Sequence, residues 1–324
     1  MHRVKKSEII SILRKLLAMS KKINFIRDKM HVCIKCLFSE KNSLIAVWKL
    51  LCTTIGYVSS IFAFSVLLKN LTRFDKAEAL CRKYYLLLLI IGIIASFVKN
   101  HEKISYKGIV KDDDLQIEVK VNDLFSAKAS SYVIPTNTYF RTVMAGEYIS
   151  PESVQGAFQL RYFPKGTDVL DELICASLEQ QGIRGEDNRD IHGDVKKYPM
   201  GTVAKVDIKG KHFYFVAIND VNEYGKPINQ DYGNVNIALD GLLEAILTFG
   251  HCDDIAMPLM GTGKAAIREA TLENVVQDTV DRFVCSKNKI ARKLIVCIRP
   301  KDYLEDKVDL KRIGKYIDYK CEFK

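Results

Sequence analysis

Two uncharged apolar runs, Leu50–Leu68 and Tyr84–Val98, stand ahead of a long segment in which short strands alternate with helices. A helix rises 1.5 Å per residue, so the first run covers about 28 Å, close to a hydrocarbon core of roughly 30 Å, and the second about 22 Å. A chain built this way is expected to fold in two parts, a helical hairpin and an α/β body. Trp48 and Lys49 precede the first run, and Arg82, Lys83, Tyr84 and Tyr85 open the second. Aromatic rings and snorkelling basic side chains are ordinary anchors at a bilayer surface. Together these features predict two transmembrane helices within 44–98, over 44–68 and 84–98. The shorter one needs local thinning of the bilayer or oligomerisation. Taken alone, it would also suit a helix buried in a soluble core.

The chain has 324 residues and a formal net charge of +10, unevenly spread. Residues 1–83 hold 17 of the 49 Lys/Arg but only 5 of the 39 Asp/Glu. The basic excess therefore lies beside the apolar runs. That pattern suits anionic lipid headgroups and argues against nucleic acid as a partner. Residues 1–43 hold 11 Lys/Arg and Lys69–Lys83 holds 5. The positive-inside rule then predicts a multi-pass cell-membrane protein with both termini, and the α/β body, in the cytoplasm. A cleaved signal peptide is not expected, because 49 residues precede the first run. The basic segment 1–43 places Ile9, Ile10, Leu13, Leu16 and Leu17 on one helical face, either to lie on lipid or to pack on protein. Nine scattered cysteines show no disulfide-framework spacing, as expected in a reducing compartment. Cys33 and Cys36 form a CxxC without a second pair, so no metal is expected.

From about Asp112 the pattern changes. Leu115–Val121 alternates as a strand, Ser131–Pro135 is a short apolar strand, and Gly201–Ile208 pairs with His212–Asn219 across a turn at Lys209–Lys211. Helices are predicted over Pro151–Tyr162, with Ser150 as N-cap, and over Asp168–Gln181. A helix over Val235–Phe249 stops at Gly250. Asp254–Leu259 follows as a strand, Lys264–Ser286 as a long helix and Lys293–Arg299 as a last strand. Such alternation argues for an α/β/α sandwich around a mixed sheet. Gly182–Lys197 reads as a mobile loop. The tail 301–324 reads as an added element on the sheet or a subunit contact.

The strongest chemical signal is Met257-Pro258-Leu259-Met260-Gly261-Thr262-Gly263-Lys264, which joins a strand to a helix. Glycines there let the backbone approach a ligand, and the free N–H groups of a following helix suit a diphosphate. The spacing is not that of a Walker loop, and only one more strand follows, which leaves no room for a dinucleotide-binding half. On its own, a GTG turn is more often a plain tight turn than a phosphate loop.

The element order and three separated motifs resemble the macro domain, an ADP-ribose-binding α/β/α fold, over about residues 112–300. Val121-Asn122-Asp123-Leu124-Phe125 is similar to the family's GDI segment, Val133-Ile134-Pro135-Thr136-Asn137 to its VNAAN, and Pro258–Gly263 to its PxxGTG phosphate loop. The resemblance implies that Asp123 accepts from the adenine amino group and that Asn137 faces the distal ribose. Read from the residues alone, Asp123 caps a turn, Asn137 is a turn residue, and Lys264 is equally a phosphate-neutralising cation or a solvated lysine at a helix start. Ile134 departs from the family's first Asn, and Ser150-Pro151-Glu152-Ser153-Val154-Gln155-Gly156-Ala157-Phe158 stands where hydrolytic members carry GGG. That segment, VIPTNTYF at 133–140 and Tyr198–Thr202 are more similar to the macro domains of the Thoeris ThsA proteins, effectors of bacterial anti-phage defence. The ThsA form with two transmembrane helices ahead of the macro domain has this layout.

The fold class implied is a macro-domain-like α/β/α sandwich preceded by a transmembrane hairpin. Its parts are a basic segment (1–43), the hairpin (44–98), a ligand-sensing domain (112–300) and a tail (301–324). The implied ligand-binding residues are Asp123, Asn137, Ser153, Val154, Gln155, Gly156, Gly261, Thr262, Gly263 and Lys264. The ligand is an ADP-ribose-type signal, such as histidine–ADP-ribose, made by a partner TIR-domain protein. Binding is expected to drive homo-oligomerisation and damage to the lipid bilayer. No catalytic residue or cofactor is expected, since His192, His212 and His251 have no partner at a usable spacing. Tyr139, Phe140 and Phe158 are expected in the core. Two other readings stand beside this one, a membrane-tethered ADP-ribosyl hydrolase and a non-catalytic ADP-ribose-binding scaffold.

Overall fold

The structure is a computed structural model that describes residues 43–72, 81, 83–100, 104–111, 113–144, 148–187, 196–263, 267, 270–305 and 308–323. The basic segment with Cys33 and Cys36, most of the span between the apolar runs, His192 and Lys264 lie outside the described residues. The chain divides into two compact units between Ile104 and Ser105.

The N-terminal unit holds two helices, α1 (Ser43–Thr72) and α2 (Tyr85–Asn100). Thr53 Oγ1 lies 2.5 Å from Ser96 Oγ, a Cβ on Gly92 would sit 3.1 Å from Val58, and the Phe62 and Tyr85 rings are 6.3 Å apart. These contacts run in opposite order along the two helices, so the pair is antiparallel. Thr54, Ser65 and Ser96 are buried, whereas Ser59 and Ser60 are exposed. Apolar side chains face outward, among them Ile55, Phe64, Leu86, Leu87 and Ile94. Helices thus occupy both predicted segments, but a membrane crossing is not supported. α2, with 16 residues, extends only about 24 Å. Among the described residues no helix is long and apolar enough to cross a membrane.

The C-terminal unit is built on one mixed sheet. Its strands are β1 (Ser105–Val110), β2 (Leu115–Val121), β3 (Ser131–Asn137), β6 (Val203–Ile208), β7 (Lys211–Val221), β8 (Pro227–Ile228), β9 (Asp254–Pro258) and β10 (Lys293–Ile298). The order is β1-β2-β10-β9-β3-β7-β6, with β8 also paired to β7. β2, β10, β9, β3 and β7 run parallel, while β1, β6 and β8 are antiparallel to their neighbours. The central strands β3 and β7 are buried on both faces, which is why they read as nearly continuous apolar runs. Two further short strands, β4 (Glu186–Asp187) and β5 (Lys196–Lys197), pair with each other inside the segment expected as a loop.

One face of the sheet is covered by α3 (Val154–Tyr162) and α4 (Asp168–Gln180). Phe158, Leu170, Ile174 and Leu178 meet Tyr132, Ile134, Phe213 and Phe215 there in one cluster. The other face is covered by α5 (Tyr232–Phe249), α6 (Leu272–Val284) and α8 (Leu310–Glu322), the last preceded by the short α7 (Pro300–Glu305). Tyr139, Phe140 and Phe158 are buried, as expected of core residues. The result is a three-layer α/β/α sandwich.

Several features differ from expectation. α3 begins at Val154 because Ser153, not Ser150, caps it, with Ser153 Oγ accepting from Gly156 N at 3.0 Å. α6 begins at Leu272 instead of Lys264: the chain first turns back, Ile267 N donating to Gly261 O, and Thr271 then caps the helix. The unit starts at Ser105 because β1 pairs along its whole length with β2. The tail is helical: Ile313, Ile317 and Cys321 of α8 are buried, with Ile317 and Cys321 lying against Gly108 of β1.

Candidate functional site

Because β3, β7, β9 and β10 run parallel, the ends of these strands and the turns after them converge on one cleft. It is lined by Pro135, Thr136 and Asn137 from β3, Ile218, Asn219 and Val221 from β7, Pro258 to Gly263 apart from Met260, and Cys297, Ile298 and Arg299. Open α/β sheets hold ligands outside the carboxyl ends of their strands. The cleft has a volume of about 610 Å³, inside the roughly 300–1,000 Å³ of small-molecule sites.

The start of α3 forms one wall. Ser153 donates through Oγ to Ser150 O at 2.7 Å while capping the helix. Its side chain is therefore committed to the turn. Val154 and Gln155 of the first helical turn line the cleft and bring the positive end of the helix dipole to it. The Gln155 carboxamide is a strap: Nε2 donates to Arg141 O at 2.7 Å and Oε1 accepts from Thr136 Oγ1 at 3.0 Å.

The GTG turn forms the opposite wall. Gly261 has φ +80° and a Cβ there would meet Val235 at 2.8 Å, so only glycine fits. Thr262 Oγ1 donates to Leu259 O. Among the described residues a Cβ at Gly263 would meet the Arg299 guanidinium alone, at 3.6 Å, and the turn lines the cleft. α6, the next long helix, starts nine residues later, so the expected helix N-terminus does not abut this turn.

Asn137 lines the cleft, and its Oδ1 accepts from Tyr139 N at 3.0 Å and Arg141 N at 3.3 Å. The group it has left to offer a ligand is the NH₂. Two of the expected residues do not line the cleft. Asp123 precedes a 3₁₀ turn (Leu124–Ser126) and accepts from Ser126 Oγ. Gly156 is enclosed by its own chain, since a Cβ there would lie 2.1 Å from Ser150 O.

Residues that carried no sequence signal complete the site. Met144, Tyr148, Tyr224 and Lys226 form one rim, and the Arg141 guanidinium stacks on the Tyr148 ring at 4.4 Å. Beside Asn219, Asp220 is held by Thr138 Oγ1 at 2.6 Å and Lys197 Nζ at 2.9 Å, which tie β3, β5 and β7 together at the rim. Burial alone would raise the Asp220 carboxyl, but Thr138, Lys197 and Asn229 outweigh it and hold it below the usual carboxylate range. Arg299 and Lys226 are the cations among the described lining residues, and Asp302 the acid. Burial pushes the Cys297 thiol up to about 12, so it is no nucleophile at neutral pH. Among the described residues no group of three or more His, Cys, Asp or Glu could hold a metal ion.

The family described as Thoeris protein ThsA, Macro domain, matches residues 117–299, more than half of the chain. No curated relative matches it. Among solved structures, the Oceanobacillus iheyensis macrodomain with ADP is 15% identical with a TM-score of 0.44, covering 65% of this chain and 97% of that one. The Trypanosoma brucei macrodomain in complex with ADP-ribose is 13% identical with a TM-score of 0.41, covering 64% and 75%. The macrodomain of Thermus aquaticus DarG is 14% identical with a TM-score of 0.38, covering 57% and 99%. Scores below 0.5 at such identities carry no argument of their own.

Proposed function

This chain belongs to the Thoeris ThsA macro-domain family, and on that premise we propose that its cleft receives an ADP-ribose-derived signal and that binding drives self-assembly and bilayer damage by the helical pair. The observation that carries the reading is the convergence of the α3 start, the open turn at Gly263 and the Asn137 amide on one cleft. Backbone N–H groups and a helix N-terminus suit a diphosphate, and a carboxamide NH₂ suits a ribose hydroxyl. The signal is a conjugate such as histidine–ADP-ribose, supplied by a TIR-domain enzyme, and the chain acts as an anti-phage effector at the cell membrane with its macro domain in the cytoplasm.

The helical unit favours an apolar partner. Thr54, Ser65 and Ser96 are buried while many large apolar side chains point out, a pattern unlike that of a water-soluble pair. Outward apolar faces of this extent mark a membrane or protein contact. Assembly brings several pairs together, which compensates for the short α2.

A ligand shifts an equilibrium only by its differential affinity for the two states, so the signal binds the assembled form more tightly. The test is dye release from anionic liposomes carrying the full chain, with and without an ADP-ribose conjugate. Release that depends on the conjugate supports the reading; equal release in both arms contradicts it. Hydrolysis is disfavoured because the described lining residues hold a single acid, Asp302, with no second group beside it to complete an acid–base pair. Turnover of ADP-ribosylated protein by the full chain would reverse this.

A further inference from the structure

We infer, resting on the binding reading above, that Arg299 and Asp302 form a charge latch that an incoming diphosphate opens, passing occupancy of the cleft to the C-terminal helices. Arg299 ends β10 and grips Asp302 with a fork, Nε donating to Oδ2 at 2.7 Å and Nη2 to Oδ1 at 2.9 Å. Both residues line the cleft. The same guanidinium stands beside the GTG turn, Nη2 lying 3.6 Å from where a Cβ on Gly263 would be. Its Nη1 donates at 3.5 Å to the Glu152 carbonyl, just before α3. The cation thus sits between the two backbone segments suited to phosphate, and the anion it now holds is a carboxylate. A diphosphate offers the same paired oxygens with more charge, and an arginine fork accepts either. The Arg299 side chain is 38% exposed and the Asp302 side chain 13%, so a ligand reaches the pair from its arginine side.

What the exchange releases is placed to matter. Asp302 lies in the first turn of α7, whose Tyr303 N donates to Arg299 O at 3.0 Å. α7 leads into α8, which packs on Gly108 of β1 through Ile317 and Cys321 and bonds Asp281 of α6 through Tyr316 and Lys320. β1 is the first strand after the N-terminal unit in chain order. Losing the Arg299 grip loosens the segment that covers this strand.

The test titrates the full chain with ADP-ribose by calorimetry and follows amide hydrogen exchange with and without it. In the wild type, ADP-ribose is expected to slow exchange at 259–263 and to speed it at 301–305. Asp302→Asn removes the competing charge with little change of shape. It should bind about two- to fivefold more tightly, the weight of one partly exposed ion pair, and exchange fast at 301–305 before ligand is added. Arg299→Gln should bind at least about tenfold more weakly, and Arg299→Lys, which keeps charge without the fork, should recover only part of the loss. If Arg299→Gln fails to fold, Asp302→Asn and the wild-type exchange pattern decide. A wild type that binds while Asp302→Asn is unchanged, or while 301–305 becomes protected, overturns the latch and leaves the binding reading intact. A wild type that does not bind ADP-ribose overturns the binding reading, and the latch with it.

Discussion

A methyl group added at Gly156 would lie 2.1 Å from the Ser150 carbonyl oxygen, whereas one added at Gly263 would meet, among the described residues, nothing nearer than a guanidinium nitrogen at 3.6 Å. The two glycines therefore serve different ends. Gly156→Ala should destabilise the C-terminal unit by about 1–3 kcal/mol, the usual effect of overpacking, and lower its thermal midpoint by about 2–4 °C per kcal/mol. Gly263→Ala should leave the midpoint within about 0.5 kcal/mol of wild type, as surface changes do. Equal midpoints for both variants would refute this division. At this scale the sequence was a partial guide. Gly263 and Asn137 were legible because backbone approach and short carboxamides leave a pattern along the chain. Ser153 and Gln155 reach the same wall, but their side chains serve the turn and the Thr136 strap. Arg299, Asp302, Tyr148 and Tyr224 were not legible: Arg299 meets the Glu152 carbonyl across 147 positions, and no local spacing encodes such a meeting.

Elements were more legible than their ends. Hydrophobic periodicity located the long strands and helices between Leu115 and Ile298 but missed β1 and α8, and the antiparallel β6–β7 pair turns at Lys209 and Gly210, both with positive φ. The ends went astray where capping chemistry is ambiguous. Ser150 and Ser153 both precede α3, and tertiary contact with Glu152 and Arg299 is not visible in the chain. The Lys264 start of α6 failed because the turn back onto Gly261 competes with the helix. The rim network makes a prediction that belongs here. The Asp220 carboxyl is depressed in the folded state by Thr138, Lys197 and Asn229 against the opposing effect of burial. A depressed carboxyl contributes stability that is fully present above its unfolded value, about 3.9, and is lost as pH falls through the folded value. Glu118 behaves alike: burial opposes, but Lys293, Lys120 and Lys107 win. Thermal midpoints should therefore drop as pH falls below about 4, and Asp220→Asn should flatten that drop. An unaltered acid limb in the variant would show that Asp220 contributes nothing.

For the whole molecule, composition and charge separated a basic, apolar N-terminal part from a near-neutral α/β part, and the chain does divide into two units. Both helices of the N-terminal pair and the GTG turn on the cleft fall where the chain's own pattern puts them. A membrane crossing does not follow from the helix lengths among the described residues, and it enters only through the proposed assembly. Every functional step, from signal to latch to bilayer, depends on the cleft accepting a nucleotide diphosphate. The most direct test is a calorimetric titration of the full chain with ADP-ribose, run beside Gly263→Val, whose side chain would occupy the open turn. Saturable one-to-one binding by the wild type, at least about tenfold weaker in the variant, is the result predicted by close backbone approach. No heat from the wild type, or equal binding by both chains, would contradict it.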